Sequence, residues 1–562
     1  MSVSPAATLP RAGNSWSFRL RTIIADPWLF GIFVLITLSI VIFAILPILS
    51  VLRLAIAGEN GIDLGATLAN LASPTVWRAF GNTMFLGVTA AVIATIFGFV
   101  LAFATTRTNM VGKGFLHAVA LLPVISPPFV MALAIVILFG RSGLISRELL
   151  GIRNSNIYGF NSLLLIQVLA FTPIAYLNLR GMLQSLDSAL EDAASSLGAS
   201  QWTIFSRLTL PLATPAILSS MLLVFVKSIE DFGNPMVIGG NYNTLAVEAY
   251  SQLIGYFNLE TGALLASLLL VPSILAFMIH RYWVSKRNYV TVTGKPAVQK
   301  IRIVSPAVVW PLTLVCYGLA ATIIIFYTTV VAVSFTRLPG VDWSFTLDHY
   351  AGVFTAGLKS LQNSLILAGI ATPITALMGM LIAYLLTRRN FPGSNVLRWG
   401  TLLSFAAPGT ILGIGYITVF NSAPLLLSGT AAIIIAAMVV KTLQVGIEAG
   451  SNQLRQVDKS IEEAATILGA SNTRTFTQVT LPLLKPAFFT AFAYAFTRSL
   501  TTLSAVIFLV SANWTLITVT ILNQVETLRL GLAAAYCVIL IVVVLAVLGL
   551  MQVALGRVAN KR

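Results

Sequence analysis

Side chains able to do chemistry are few in this chain, and the most distinctive of them occur twice. Glu191, Asp192, Ala193 and Ala194 return as Glu462, Glu463, Ala464 and Ala465, each 271 residues further on. Gly198 returns as Gly469, and Leu210-Pro211 as Leu481-Pro482, at the same offset. Asp187 and Asp458 precede the two acidic pairs. Acids at a helix start complement the partial positive charge of its first turn. The alanines allow another surface to come close, and the glycine ends the helix. The pattern predicts a short helix–turn–helix lying along the cytoplasmic face of a membrane, suited to contact with a soluble partner. An ordinary solvated loop would account for one such segment, but not for a second copy in the same register.

A further set of charges stands inside apolar sequence. Lys227, Glu230 and Asp231 interrupt a stretch that otherwise reads as a membrane span. In the second copy Arg498 takes the place of Lys227, while Thr501 and Thr502 replace the acids. A charge at the bilayer centre costs about 2.5–3.5 kcal/mol on insertion scales and faces a cavity or a partner. Lys227 has acids at i+3 and i+4, within reach on one helix face; Arg498 has none. The two bases and two acids balance, which predicts pairing of Arg498 with Glu230 or Asp231 across the symmetry axis, at or near a gate. The alternative is that all four sit at helix ends in water or headgroups. The acids suit a hard cation such as ferric iron and the bases an anion such as a phosphonate; both remain open.

Other chemistries are poorly served. His117, His280 and His349 are scattered, and Cys316 and Cys537 lie inside predicted spans, so neither a zinc spacing nor a disulfide framework is expected. A phosphate loop would need Gly-x4-Gly-Lys-[Ser/Thr]. Gly294-Lys295 lacks both the first glycine and the hydroxyl residue, so the chain is not expected to hydrolyse nucleotide itself.

The elements that must hold these residues are membrane helices. Hydrophobic residues make up 57% of the chain and charged ones 9%, with a mean hydropathy of +0.91. A soluble domain cannot hide that much apolar surface. Charge-free runs at 27–52, 79–106, 114–140, 154–179, 303–336, 360–387 and 530–556 are each long enough to span, and about twelve helices are expected in all. Barrel-type alternation is absent, so the predicted class is an all-α polytopic membrane protein. The net charge of +16 collects in short loops, for example at Lys286, Arg287, Lys295, Lys300 and Arg302. That is positive-inside patterning and excludes a nucleic-acid partner. Arg11, Arg19 and Arg21 precede an apolar run too long for a cleaved signal, which predicts an uncleaved first span and a cytoplasmic N-terminus.

The chain also repeats outside the polar islands. Asn82, Gly98, Arg107, Gly112 and Pro127 match Asn363, Gly379, Arg388, Gly393 and Pro408, each 281 residues later. The later offset of 271 places the missing residues in the loop after the third span, long at 141–158 and brief at 421–428. Six spans per half keep the copies parallel, related by an axis along the membrane normal. The predicted divisions are a cytoplasmic lead at 1–26, halves at 27–290 and 305–562, and a cytoplasmic linker at 291–304. Pro123, Pro127 and Pro128 break the third span, either as a packing kink or as lining of a pathway. Residues 236–261 are expected outside the membrane with a short surface helix.

The repeated island resembles the EAA loop of ABC importer permeases. Its pattern is acid-Ala-Ala, three residues, Gly, nine residues, aliphatic-x-Leu-Pro. Asp192-Ala193-Ala194, Gly198, Leu208 and Leu210-Pro211 meet it, and so do Glu463-Ala464-Ala465, Gly469, Val479 and Leu481-Pro482. A single chain with two such halves looks like the fused permeases of the ferric-iron group; related permeases serve 2-aminoethylphosphonate, sugar phosphates, thiamine and polyamines. The resemblance implies a type I importer in the bacterial inner membrane, with both chain ends cytoplasmic. It implies coupling helices seated on a homodimeric ATPase that uses ATP and magnesium, and a periplasmic binding protein that delivers the solute. A secondary carrier with parallel halves would not need the paired loops. A membrane enzyme would need a cluster of His, Asp or Glu, and Glu230-Asp231 alone offers one.

Overall fold

The computed structural model describes residues 27–57, 64–152, 154–186, 188–280, 282, 305–389 and 391–559. The expected lead at 1–26, the linker at 291–304 with its neighbouring basic residues Lys286 and Arg287, and Asp187 lie outside them. The described residues are helical except for loops and one hairpin, in which Thr336–Leu338 pairs with Asp342–Phe345. Among the described residues ten helices are long and apolar enough to cross a bilayer, or twelve when each of two bent pairs is taken as one span.

The six spans of the first half are Pro27–Ala57, Pro74–Arg107, Phe129–Leu149 preceded by the short Lys113–Ile125, Phe160–Ser185, Gln201–Ile229 and Leu259–Ile279. Those of the second half are Pro306–Ser334, Leu358–Arg388, the pair Ser394–Ala406 and Gly409–Phe420, Ala431–Gln456, the pair Thr473–Leu483 and Lys485–Thr501, and Leu530–Val553. In each half the second, fourth and fifth spans pack together as a three-helix core. Small residues allow that approach. A Cβ on Gly98 would lie 2.6 Å from the Cβ of Ala175, and one on Gly379 would lie 2.8 Å from the backbone of Gly446. The matched glycines therefore mark the crossing of the second and fourth spans.

The first span of each half leaves its own core. Leu46–Ala57 packs against Gly409–Phe420 of the second half, and Pro306–Ser334 packs against Lys113–Ile125 and Phe129–Phe139 of the first. The Tyr416 hydroxyl donates to the Phe43 carbonyl at 2.7 Å, and the hydroxyls of Ser126 and Tyr327 bond across the other seam. The two halves are thus interlocked.

Both third spans break where the prolines predict. The first stops at Ile125 and resumes at Phe129; the second bends by 114° between Ala406 and Gly409. Within residues 236–261, Gly233–Ile238 and Leu245–Tyr250 are short helices whose Ile238, Leu245, Ala246, Glu248 and Ala249 are buried. The helical turn Ser251–Gly255 that continues the second has no buried residue, and Tyr256 and Phe257 after it are exposed. The segment thus holds a short helix that is buried at its start and on the surface at its end.

Candidate functional site

The two polar islands form matching structures. Ser188–Ser196 and Ser460–Ile467 are helices, as expected of their alanine and glutamate content. At the second, the Ser460 amide donates to Asp458 at 3.0 Å. These Ser460 hydrogen bonds hold the Asp458 carboxyl below the usual carboxylate range. Both helices end in a Schellman turn. Gly198 N–H donates to Ser195 O and Ala199 N–H to Ala194 O, while Gly469 and Ala470 donate in the same way to Thr466 and Ala465. Gly198 has a φ of 81° and Gly469 of 83°. No other residue would touch a Cβ at either position, so glycine is required by the backbone conformation and not by crowding. Ser200 and Ser471 then accept the amides of Thr203 and Arg474 and start the next helix. Leu210-Pro211 and Leu481-Pro482 continue it as the fifth span, with each proline in the first turn of a helical segment.

The two acids of each pair face opposite ways. Glu191 is 5% exposed. Its Oε2 lies 3.2 Å from Nη1 of Arg107, at the end of the second span, and its Oε1 accepts the hydroxyl of Thr209 at 3.3 Å. Arg107 also donates to the Leu183 carbonyl at 3.1 Å. The second half repeats the arrangement. Glu462 Oε1 lies 3.3 Å from Nε of Arg388 and accepts the Thr480 hydroxyl at 3.3 Å. Arg388 donates to the carbonyls of Leu454 and Val457 at 2.9 and 2.7 Å. Asp192 and Glu463, by contrast, are exposed, as are Ala193 and Ala464, while Ala194 and Ala465 are half-buried. Beside the turns, Leu197, Ile467 and Leu468 stand 88%, 85% and 87% exposed. The second spans' arginines and Thr209 and Thr480 are functional candidates that sequence reasoning missed; their signals were the 281-residue match of Arg107 with Arg388 and the 271-residue match of Thr209 with Thr480.

The intramembrane charges lie where several helices break. The fifth spans stop at Ile229 and Thr501. A Cβ on Gly233 would lie 3.2–3.5 Å from Phe129, Pro128 and Leu503, and one on Gly409 would run into Ser504. The breaks of both third and both fifth spans are therefore neighbours. Lys227 Nζ pairs with Glu230 Oε2 at 2.9 Å and sits 5.7 Å from the centre of the Phe405 ring, in the other half. Lys441, also in the other half, lies 3.6 Å from Glu230 Oε1 and donates to the Ala407 carbonyl at 2.8 Å. Asp231 stays within its own half, accepting from Gln167 at 3.1 Å and from the Asn234 side chain and amide at 2.9 and 3.3 Å.

The expected pairing of Arg498 with Glu230 or Asp231 is not formed. Lys441 makes the contact between halves instead, and Asp231 is satisfied by amides. Arg498 is half-buried and has no hydrogen bond or ion pair among the described residues, although its charge acts on Glu230 through space. Glu230 is buried at 9% exposure, whereas Lys227, Asp231 and Arg498 are half-buried and lie at or beside helix ends. Lys441 is the lone charge in residues 431–447, and that isolation is the signal by which it could have been found.

A family model described as "Binding-protein-dependent transport system inner membrane component" matches residues 94–289 and again 375–560. The chain belongs to this family. It is similar to the "Ferric transport system permease protein FbpB" of Actinobacillus pleuropneumoniae, at 36% identity over 96% of this chain and 80% of that one. It is also 36% identical to a "Putative ferric transport system permease protein FbpB 1" of Haemophilus influenzae, over 88% of this chain and 80% of that one. A "Probable ABC transporter permease protein y4fN" of Sinorhizobium fredii is 24% identical over 81% of this chain and 83% of its own length. Each match of the family model encloses one glycine turn and one arginine–glutamate contact.

As an inner-membrane component of a binding-protein-dependent system, the chain is a multi-span ABC importer permease, a transporter subunit and not an enzyme. Its family implies an ATPase partner and a periplasmic binding protein. Each glutamate ties its exposed short helix to two core spans of the same half, through the arginine to the second and through the threonine to the fifth.

Proposed function

We propose that this permease carries ferric iron from a periplasmic binding protein to the cytoplasm, driven by a homodimeric ATPase. The observation that supports the machinery is the pair of exposed short helices, each tied to its own half by a glutamate paired with an arginine, buried at Glu191 and half-buried at Glu462. The choice of ferric iron is supported by the names of the two relatives at 36% identity. In this reading residues 27–290 and 305–562 are the two permease halves. Residues 1–26, the linker at 291–304 and both chain ends are cytoplasmic.

Each short helix seats in a groove of one ATPase subunit. Leu197 enters one groove, and Ile467 and Leu468 the other. Asp192, Glu463 and the alanines line the contact, and Gly198 and Gly469 set the turn. Leu210-Pro211 and Leu481-Pro482 hand the motion to the fifth spans. Glu191 and Glu462 act from the other side, as ties to Arg107 and Arg388. ATP and magnesium bind in the partner. Closure of the two ATPase subunits draws the short helices together, and the ties carry that motion into both cores. The breaks around Lys227, Glu230, Asp231, Lys441 and Arg498 line the path or its gate.

The test is reconstitution of the chain, with the ATPase and binding protein co-expressed beside it, into proteoliposomes. Uptake of radiolabelled ferric iron is expected to require both partners and enclosed ATP, with two ATPase subunits per chain. Uptake driven by an ion gradient without ATP would replace this reading with that of a secondary carrier.

A further inference from the structure

The charged break between the halves holds more bases than acids. Lys227 and Lys441 pair with Glu230, and Arg498, in the last turn of its span, acts on the same carboxylate through space. Both oxygens of Glu230 already face lysines, at 2.9 and 3.6 Å. Asp231 follows Glu230 in the chain, and both its oxygens are engaged by Asn234 and Gln167. Even with Asp231 included, the bases outnumber the acids three to two. Arg498 carries the surplus, since it has no ion pair or hydrogen bond among the described residues.

Surplus positive charge at membrane depth is expensive unless something pairs with it. The backbone there is also non-helical at four points, as both third and both fifth spans break. Broken helices at a repeat interface are tolerated where they line a cavity or hold a solute. No group of three His, Cys, Asp or Glu able to hold a metal ion exists among the described residues. A bare ferric ion would meet three cations and no free carboxylate. A guanidinium, by contrast, matches the paired oxygens of a carboxylate or phosphate.

We propose that the break between the halves, centred on Arg498 with Lys227 and Lys441, is a binding site for an oxyanion. On the ferric reading above, on which this extension rests, iron then crosses as a complex of net negative charge, carried with its carboxylate or phosphate ligand.

The complete transporter in proteoliposomes tests this with two labels. The binding protein is loaded with radiolabelled ferric iron in the presence of radiolabelled phosphate and, in a parallel arm, radiolabelled citrate. The anion label is expected to enter with the iron in one of the arms, and the arm identifies which oxyanion. Arg498→Gln is expected to lower that joint uptake about tenfold, the loss of one charge-assisted contact, while Arg498→Lys retains most of it. The joint entry in the wild-type transporter needs no variant, so a failure of Arg498→Gln to assemble leaves the test intact. Iron entering without either anion overturns the oxyanion site and leaves the ferric reading standing. Phosphate or citrate entering without iron overturns the ferric reading and supports the site. Undiminished joint uptake by Arg498→Gln removes Arg498 from it.

Discussion

A single carboxylate in each half determines how its short helix is held. Glu191 is enclosed with Arg107, their side chains 6% and 3% exposed, whereas Glu462 is 18% exposed beside Arg388 at 5%. Removing one member of a buried ion pair strands the other charge and costs about 3–5 kcal/mol, while replacing both by apolar groups is often neutral. Arg107→Met is therefore expected to lower the unfolding midpoint of the purified chain markedly, and Arg107→Met with Glu191→Met to regain most of it. Arg388→Met should cost less, because water reaches Glu462. Thermal unfolding in detergent of the three variants checks the ordering, and equal losses at Arg107 and Arg388 would contradict it. The double variant should also hydrolyse ATP without driving uptake, since its short helix no longer pulls on the second span. Asp458 adds a pH signature. Its carboxyl is held below the usual range by Ser460, so the cap is present above ordinary carboxylate pKa values and is lost as pH falls through the depressed one. Protection of the amides of 460–463 against hydrogen exchange, relative to the unprotected rate at the same pH, should fall on that acidification, and should already be low at neutral pH in Asp458→Ala.

At the scale of the element, the short helices are the part most legible in sequence. Their pattern recurs without a gap, and Gly198 and Gly469 stand at φ 81° and 83° as a helix-ending glycine should. Alanine in that conformation is strained by about 1–2 kcal/mol, and nothing crowds a Cβ there. Gly198→Ala or Gly469→Ala is thus expected to leave the fold intact while misdirecting the exposed Leu197 or Leu468. Stimulation of ATPase activity by the binding protein should fall in each variant and fall further in the pair; full stimulation in the pair would argue against a role for the turn. What the sequence conceals is contact between distant segments. Arg107 matches Arg388 at one offset and Glu191 matches Glu462 at another, and no periodicity says that the two series meet. The same blindness produced the mistaken pairing of Arg498: a balance of two acids and two bases omitted Lys441, which lies in a different span of the second half. Within residues 236–261 the sequence likewise does not say that Leu245, Ala246 and Ala249 pack inward while Ile254, Tyr256 and Phe257 stay exposed.

At the scale of the whole molecule, twelve spans and two parallel halves follow from hydropathy and the repeat, but their interlocking does not. The first span of each half lies on the third span of the other. Phe33 stacks near Phe391 at 5.4 Å, and Tyr416 bonds the Phe43 carbonyl. A Cβ on Gly415 would collide with the Pro47 backbone, 2.4 Å from its carbonyl oxygen, so these helices meet backbone to backbone. Such close seams hold membrane helices by packing and hydrogen bonds, since lipid supplies no hydrophobic drive between them. A chain cut within 291–304 and expressed as two pieces should therefore reassemble, because each piece carries the arm that clasps the other. Affinity capture of either piece from detergent is expected to bring its counterpart in equal amount, and the reassembled pair to transport with its partners. Gly415→Leu, which drives a side chain into Pro47, should weaken the recovery of the cut pieces far more than it weakens the intact chain, where the linker keeps the halves at high effective concentration. Recovery of the cut pieces unaffected by Gly415→Leu would mean that the halves are held by the charged break alone.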